Sequence, residues 1–459
     1  MGIPNFNKYL KSIEKGLPPY QRGINKIHLS NYSGKCIAID VCIFIYQSLY
    51  SHQDGHIQGM LNLVAKLKKY DIIPLFVFDG KPPQSKHNVI SSRKKNREKI
   101  KSKIIKLENS LKDLESSCDN TSIDSLSEDS LFIDSIDSIE SRDSLDLSAS
   151  ISSIDSNDMS IIDETNVIQE IQKLSKKCIE IKTSHIEDLK KFFDMINISY
   201  IHLKEYEADI VCSQLVKNKI ASAVISNDMD LLAYNCNFVL RGLDFKSEFV
   251  SEYNIPVIRN NMDLTDTQLT DLCIMMGCDY SKRLFSHANC HDYHILLRDY
   301  GCIENIINAY NNNDININHM NNSFKFDEAR DIFTKVIDID MDMINNNLTI
   351  KDIVNISNNI YNIKDISNSH TNYINYTNYN INNTNNTNNI NNTNNINNNL
   401  NNFSIKKTKF TKNNKKCILD YLNKKCPSLR KKLISIKLDT ILYGNYLNSS
   451  SFTKRIECY

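Results

Sequence analysis

Acidic residues stand where apolar segments of this chain end, at positions that folding for stability alone would leave to neutral side chains. Asp40 closes the run 35–39 and Asp79 closes the run 74–78, and both runs have the continuous apolar character of buried parallel strands. The carboxyl ends of parallel strands meet at one edge of an α/β sheet, where such folds keep their sites. The acidic residues that we expect at this edge are Asp40, Asp79, Glu207, Asp209, Asp228, Asp230 and Asp279.

Crowded carboxylates repel one another and raise one another's pKa, so a cluster of them needs compensating charge. Hard divalent cations that prefer oxygen ligands, Mg²⁺ or Mn²⁺, supply that charge. The chemistry most directly favoured by such a cluster is two-metal hydrolysis of phosphodiester bonds. The predicted cofactor is therefore Mg²⁺, two ions per site, with Mn²⁺ as a substitute.

Bulk composition adds few constraints. The chain has 459 residues, a formal net charge of +1, no Trp and 13 Cys without CxxC pairs, which is typical of a reduced intracellular protein. The amino terminus lacks the pattern of a signal peptide, and no apolar run approaches the roughly 20 residues of a membrane span. We therefore expect a soluble intracellular protein of two or three domain-sized units.

The periodicity of apolar residues predicts an α/β fold, a central, mostly parallel sheet flanked by helices. Thr265–Gln268 fits a capping box that opens the helix ending at Met276. Glu207 opens another helix, so a capping role is its alternative to a role in the site. The predicted strands are 35–41, 72–78, 198–202, 221–226 and 237–240, and the predicted helices are 42–51, 58–69, 86–113, 167–196, 207–217, 265–276 and 417–434.

Charge and low complexity divide the chain further. The helix 86–113 is rich in Lys and Arg, and a solvated surface helix and a phosphate-contacting element explain it equally well. The Ser/Asp-rich stretch that follows is predicted to be a disordered acidic insertion in a helical arch, either neutral or competing with nucleic acid for the basic helix. Lys406–Lys407 and Lys415–Lys416 are weak signals for nuclear import or a second nucleic-acid contact.

We divide the sequence into five segments. They are an N-terminal α/β region with the basic helix at 1–115, the disordered insertion at 116–165, an internal α/β region at 166–310, an Asn-rich low-complexity segment at 311–404, and a basic C-terminal segment at 405–459.

Several motifs occur together in the order of one known family, and the sequence resembles the flap endonuclease and XPG-type structure-specific 5′ nucleases. The resemblance covers about residues 1–115 and 166–280. It implies a PIN-like 5′ nuclease core with a helical arch. The matching segments are Met1–Gly2–Ile3, Ile39–Asp40, Ile45–Gln47, Val77–Lys86, Tyr206–Asp209, Asn227–Leu232 and Asp271–Tyr280.

The resemblance also implies roles. The seven acidic residues named above match the family's metal-binding carboxylates. Lys86 and Arg93 match a basic pair that contacts the scissile phosphate, Tyr46 matches an aromatic residue that stacks on the terminal base, and Gly2 matches a glycine beside the site. A core position is the alternative for Tyr46.

Two features depart from the family. After Tyr280 the family has a Gly-rich helix-turn-helix that holds the downstream duplex with a monovalent ion, whereas residues 281–290 contain no Gly-x-Gly. Tight backbone approach to phosphate needs Gly, which puts that grip and its ion in question. No Gln follows Gln268, so the clamp-binding box of many flap endonucleases is absent.

The resemblance implies a Mg²⁺-dependent 5′-flap endonuclease or 5′→3′ exonuclease, a monomer that acts on branched or 5′-ended DNA in the nucleus or another site of replication. The alternatives are a four-way-junction resolvase, a 5′→3′ RNA exonuclease, and a catalytically silent DNA-binding scaffold. Loss of site carboxylates would favour the scaffold, and none is missing here.

Overall fold

The structure is a computed structural model. It describes residues 3–51, 55–117, 164–244, 246–339 apart from 316 and 318, 343–344, 412–426 and 431–443. The predicted insertion and the Asn-rich segment lie largely outside these residues. None of the described helices has both the length and the apolar character needed to cross a membrane.

A seven-stranded sheet forms the centre of the described chain, in the order β1-β7-β6-β5-β2-β3-β4. The five strands from β6 to β4 are mutually parallel, and β7 pairs antiparallel with both β6 and β1. The mostly parallel sheet predicted from the sequence is therefore confirmed. The strands are β1 (Ile24–His28), β2 (Cys36–Asp40), β3 (Ile73–Val77), β4 (Ser199–Ile201), β5 (Ala223–Ile225), β6 (Phe238–Arg241) and β7 (Phe249–Asn254).

Helices cover both faces of this sheet. They are α1 (Phe6–Lys15), α2 (Val41–Ser51), α3 (His56–Lys69), α4 (His87–Ser117), α5 (Glu164–Lys177), α6 (Thr183–Met195), α7 (Ala208–Lys217), α8 (Asp230–Ala233), α9 (Ile255–Asn261), α10 (Asp266–Met275), α11 (Cys290–Tyr300), α12 (Ile303–Asn311), α13 (Asp327–Thr334), α14 (Lys412–Lys425) and α15 (Lys431–Tyr443).

Two hydrophobic cores lie on opposite faces because successive side chains of a strand point to opposite sides. In β2, Ala38 packs into the core shared with α1, α7 and α10, whereas Ile37 and Ile39 pack into the core shared with α2, α3 and α6. Both faces of β2 are thus covered, which explains why its sequence is apolar without alternation.

The sheet alignment brings the chain's two halves together at one edge. Asp40, the last residue of β2, pairs in register with Val77 at the end of β3, and Ile39 pairs with Ile225 at the end of β5. The segments that follow these strands therefore leave the sheet side by side, as the positions of the acidic residues predict.

Two predicted helices are each divided in the structure. The helix predicted over 167–196 ends at Lys177, and α6 begins at Thr183 with one half of a capping box, in which the N-cap Lys182 N–H donates to the ring of His185 at N3. β-branched residues at 179, 181 and 183 weaken the helix there. The helix predicted over 417–434 is also wrong, because α14 ends at Lys425 and α15 begins at Lys431, with Pro427 between them in sequence.

The capping box at Thr265 is confirmed. The Gln268 N–H donates to Thr265 Oγ1 over 3.2 Å, and the Thr265 N–H donates to Gln268 Oε1 over 2.9 Å. The long basic helix is also confirmed as α4, which packs beside α5. Lys103 pairs with Glu170 at 3.3 Å and Arg97 with Glu180 at 3.6 Å, so charge pairs link this basic helix to the segment that returns from the insertion.

Gly80 allows the backbone after β3 to approach the loop before α7 closely. Its N–H donates to the Tyr206 carbonyl over 2.8 Å, and a Cβ placed on Gly80 would lie 2.3 Å from the Leu203 oxygen and 2.5 Å from the Tyr206 oxygen. Both neighbours are backbone atoms, which cannot move aside as a flexible side chain would. Only glycine therefore fits between these two segments.

We expect Gly80→Ala to destabilise the protein by about 1–3 kcal/mol, because the added methyl overpacks against backbone. Urea denaturation followed by circular dichroism measures the change. Gly16→Ala is the matched control, since a Cβ there meets only the Ile13 oxygen at 3.6 Å. Equal midpoints for the two variants would contradict the close-approach argument.

Candidate active site at the carboxyl edge of the sheet

Asp40 lies at the centre of the site. It ends β2 and is 7% exposed. Its Oδ1 accepts from the Cys42 N–H over 3.0 Å, and its Oδ2 accepts from Ser226 Oγ over 3.3 Å. The first bond comes from the start of α2 and the second from the end of β5, so Asp40 is held between two elements that leave the same edge.

Asp79 connects the end of β3 to the next acidic pair. Its Oδ1 accepts from the Ala208 N–H over 2.7 Å and so caps α7. Glu207 is the N-cap residue of that helix, but its side chain makes no capping bond. The capping alternative for Glu207 is therefore wrong, because Asp79 takes that role and leaves the Glu207 carboxylate to other partners.

Asp228 and Asp230 follow β5 in a tight turn. The Asp228 N–H donates to Ser226 Oγ over 3.1 Å, and the Asp230 N–H donates to Asp228 Oδ1 over 3.1 Å. Asp230 opens α8 and is 3% exposed. The turn brings both carboxylates to the edge where Asp40 lies.

Two carboxylate oxygens in this group are buried without a hydrogen-bond partner: Oδ1 of Asp209 and Oδ1 of Asp230. A buried oxygen that carries negative charge and has no donor is costly. Their orphaned state is the clearest structural sign that a positively charged ligand belongs here.

The pKa values of the buried carboxyls are raised for the same reason. Burial, followed by repulsion from Asp79 and Asp228, raises the pKa of Asp40 to about 8. Burial, followed by repulsion from Asp228, also raises the pKa of Asp209 and of Asp230 well above the usual range. Without a bound cation, the surroundings therefore do not stabilise the charged form of these three carboxyls.

Two cations enter the site from the side of α4. Lys86 Nζ lies 2.5 Å from Glu207 Oε1 and 3.2 Å from Asp279 Oδ2, and Arg93 lies 2.9 Å from Asp279 Oδ1. Burial opposes the charged form of Lys86, but Glu207 and Asp279 outweigh it and raise the pKa of this lysine. The basic pair predicted from the sequence thus meets the outer carboxylates directly.

Tyr280 lies behind these contacts. Its hydroxyl donates to Glu207 Oε2 over 2.6 Å, and Lys86 Nζ lies 5.5 Å from the centre of its ring. Our sequence analysis assigned this residue no separate role. Its position directly after Asp279 was the one signal in the sequence that it lies near the site. Its bond to Glu207 was not predictable, because the two residues are 73 positions apart and no local pattern encodes such a contact.

The structure says less about the other two predicted site residues, Tyr46 and Gly2. Tyr46 is half-buried in α2, and burial, followed by the nearby Cys42, raises its pKa while Arg97 and Arg93 of the basic helix act in the opposite sense. It therefore lies within electrostatic reach of α4. Gly2 lies outside the described residues.

A divalent ion fits the donor chemistry of this edge. All seven predicted ligands offer carboxylate oxygen, the ligand type that Mg²⁺ and Mn²⁺ prefer. Within the described ranges, however, no three His, Cys, Asp or Glu side chains converge closely enough to form a finished metal site. Backbone N–H groups and Lys86 hold several of the carboxylates apart, so ion binding would require these side chains to turn inward.

This sheet edge has the composition of a metal-dependent phosphodiesterase site, with an acidic centre and cations on one flank. Comparison with known proteins gives the class more closely. Residues 1–100 match the family model for the XPG N-terminal domain, and residues 197–279 match that for the XPG I-region.

Relatives agree with these matches over most of the chain. Flap endonuclease 1 from Enterocytozoon bieneusi is 27% identical over 356 residues, which cover 72% of this chain and 77% of the relative. The probable RAD2-like endonuclease 369L of Invertebrate iridescent virus 6 is 28% identical over 330 residues, with 67% and 73% covered. The chain is similar to XPG-type flap endonucleases in both matched regions, and it is a nuclease.

Solved structures of similar shape include the catalytic core of Rad2 in complex with DNA substrate. It has a TM-score of 0.49 and 15% sequence identity, with 96% of this chain and 99% of that chain covered. Flap endonuclease-1 from Methanococcus jannaschii has a TM-score of 0.41 and 19% identity, with 69% and 83% covered.

We expect Asp230→Asn to stabilise the ion-free protein by about 0.5–2 kcal/mol, because it removes one buried like charge at constant shape. The same variant should show a smaller rise in melting temperature on addition of Mg²⁺. Thermal melts with EDTA and with Mg²⁺ measure both effects. Asp338→Asn, at an exposed position, is the control and should change neither. A less stable ion-free Asp230→Asn protein would contradict the repulsion argument.

The raised pKa of Asp40 predicts a pH-dependent effect. The ordinary pKa is 3.8 and the folded value about 8, so between them the folded state binds a proton that the unfolded state has released. This contribution to stability is fully present below pH 3.8 and is lost as the pH rises toward 8. The melting temperature of ion-free Asp40→Asn relative to that of the native chain should therefore increase between pH 5 and 8 and level off above. A difference that does not change with pH would show that Asp40 has an ordinary pKa.

Proposed function

We propose that this protein is a Mg²⁺-dependent, structure-specific 5′ nuclease that hydrolyses phosphodiester bonds in branched or 5′-ended DNA. The observation that carries the proposal is the acidic sheet edge with two orphaned carboxylate oxygens, flanked by Lys86 and Arg93 from the base of a basic helix. An acidic centre alone would repel nucleic acid, and the adjoining cations give the phosphate a place to approach.

The ions would be held by the carboxylates of the edge. The ligands that we propose are Asp40, Asp79, Glu207, Asp209, Asp228, Asp230 and Asp279. When bound, two such ions lower the pKa of the attacking water and stabilise the charge that develops on the phosphate oxygens.

The chain's own cations contribute beside the ions. Lys86 is 14% exposed, so it acts as a point charge in a largely dry position, where its electrostatic effect on a phosphate is strongest. Arg93 is 44% exposed and presents a planar fork that can bind two phosphate oxygens. We propose that both exchange their present carboxylate partners for the scissile phosphate when DNA and ions bind.

Basic residues continue along α4 beyond Arg93. Its 31 residues include many exposed Lys side chains, which suit contact with a DNA backbone. This placement favours the phosphate-contacting interpretation over a merely solvated helix, because the basic helix begins at the site itself. We propose that Tyr46 stacks on a base of the entering strand.

The relatives support a preference for flaps, since those with the matching regions are flap endonucleases and a RAD2-like endonuclease. We propose that the protein releases 5′ flaps and also degrades DNA from 5′ ends. We further propose that it acts as a monomer and without a clamp-binding box.

The test is cleavage of a 5′-flap duplex labelled at its 5′ end, with Mg²⁺ and then with EDTA. We expect one released flap fragment that disappears with EDTA. Asp228→Asn should lower the cleavage rate by about 100-fold or more, because it removes a proposed ligand charge, while binding to the flap stays within a few-fold.

Asp338→Asn is the control and should cut like the native chain. Release of mononucleotides alone would mean that the protein is a 5′→3′ exonuclease and does not release flaps. Tight flap binding without any cleavage would overturn the proposed nuclease activity on this substrate. An Asp228→Asn protein that cuts at the native rate would refute the ligand assignment.

A further inference from the structure

Among the described residues, Tyr280 contacts both Glu207 and Lys86, and it does so through different parts of its side chain. Its hydroxyl donates to Glu207 Oε2 over 2.6 Å, while its ring lies 5.5 Å from Lys86 Nζ. Lys86 in turn binds the other oxygen of Glu207 over 2.5 Å. The three side chains form a closed triangle of contacts.

A second aromatic layer lies behind this triangle. Phe333, on α13, meets the Tyr280 ring edge-on with centroids 5.3 Å apart and the Tyr234 ring edge-on at 4.9 Å. The two tyrosine hydroxyls are 3.5 Å apart. Phe333 is fully buried. The ring of Tyr280 is therefore fixed from behind as well as by its hydroxyl.

A bidentate ion pair fixes α13 in this position. Arg330 lies 2.9 Å from each carboxylate oxygen of Asp271 on α10 and 2.6 Å from Glu304 on α12. Paired Arg–carboxylate bonds of this kind are directional as well as strong. Because α10 leads directly into the loop that carries Asp279, the same pair links α13 to the acidic edge.

The loop before Glu207 also contacts the chain beyond α13. Lys335 Nζ lies 4.9 Å from the centre of the Tyr206 ring. Phe333 thus contacts Tyr280, which binds Glu207, and Lys335 contacts Tyr206 in the loop before Glu207. Both contacts come from residues beyond the two segments that match the family models, which end at 279.

We propose that Tyr280 is a positioning residue for Glu207 and Lys86, and that α13 is the element that holds Tyr280 in place through Phe333. A carboxylate with only Lys86 as partner would follow that lysine when it turns toward a phosphate. The hydroxyl of Tyr280 gives Glu207 a second, fixed bond, so the carboxylate keeps its orientation when Lys86 changes partner.

The alternative role for a tyrosine at such a site is that of an acid or base. An acid or base must present its hydroxyl to the reacting atoms, whereas the Tyr280 hydroxyl already donates to Glu207 Oε2 over 2.6 Å and lies 3.5 Å from the Tyr234 hydroxyl. A donor whose direction is fixed in this way is what a positioning role needs.

Tyr280→Phe tests the hydroxyl at constant ring volume, and Phe333→Leu tests the support behind the ring. The matched control is Phe324→Leu, because Phe324 precedes α13 and its described ring contact is with Phe326. For each variant we would measure kcat and KM on a 5′-flap duplex, and the Mg²⁺ concentration that gives half of the maximal rise in melting temperature.

We expect Tyr280→Phe to lower kcat about 10- to 100-fold with KM within twofold, and to raise the Mg²⁺ midpoint about tenfold, as for other residues that orient metal ligands. Phe333→Leu should move both quantities in the same direction by a smaller factor. Phe324→Leu should leave both unchanged. A loss of thermal stability without these shifts would mean that Tyr280 only fills space, and would overturn the proposal.

This inference rests on the proposed function, yet the two fail separately. A native chain that binds Mg²⁺ but cleaves no flap, 5′ end or junction would overturn the proposed nuclease activity alone. In that case the Mg²⁺ midpoint still decides the role of Tyr280, since a midpoint in Tyr280→Phe equal to the native one would overturn the positioning role.

Discussion

Burial of like charge at one edge of the sheet is the constraint on which the rest of this structure depends. Asp40, Asp209 and Asp230 are driven together by the way the strands align, at a cost that the raised pKa values of these carboxyls record. The fold offsets part of that cost with backbone donors at helix starts and with two cations, Lys86 just before α4 and Arg93 within it. It leaves the remainder uncompensated, as expected of a site that stores electrostatic strain for a ligand.

The surroundings of the cluster follow from this constraint. The carboxylates meet only if β2, β3 and β5 end in register. The central strand β2 is covered by a hydrophobic core on each face, so both of its faces must be apolar. Gly80 must be glycine for the β3 loop to reach the start of α7. The aromatic layer of Tyr280, Tyr234 and Phe333 is buried and packs behind the Lys86 side of the cluster. Each feature holds the carboxylates in an arrangement that their mutual repulsion alone would disfavour.

Most of the central fold was predictable because its signals are local. Continuous apolar runs identified β2 and β3, and an Asp at the end of each run indicated the edge where they meet. The capping box at Thr265 was readable because its two partners are three residues apart. The resemblance to a family added the order of the motifs, which periodicity alone does not supply.

The rest depended on contacts that are distant in sequence. The two strands of the antiparallel side, β1 and β7, were missed because β1 is only partly buried and β7 mixes exposed and buried residues, so neither has an apolar run. The break before α6 carries no Gly or Pro, and the bond from Tyr280 to Glu207 depends on tertiary packing. Propensity sets helix boundaries only weakly, and tertiary contacts override it.

The strand order also determines how this enzyme can be divided. β2 and β3 come from the chain before the insertion, yet β2 lies between β3 and β5, and β3 lies between β2 and β4, so strands from the later part flank both. Each part alone would expose unpaired strand edges and hold an incomplete set of carboxylates. If the chain were cut between α4 and α5, neither piece could form the complete sheet or the complete site alone. The two pieces would recover both only by assembling with each other.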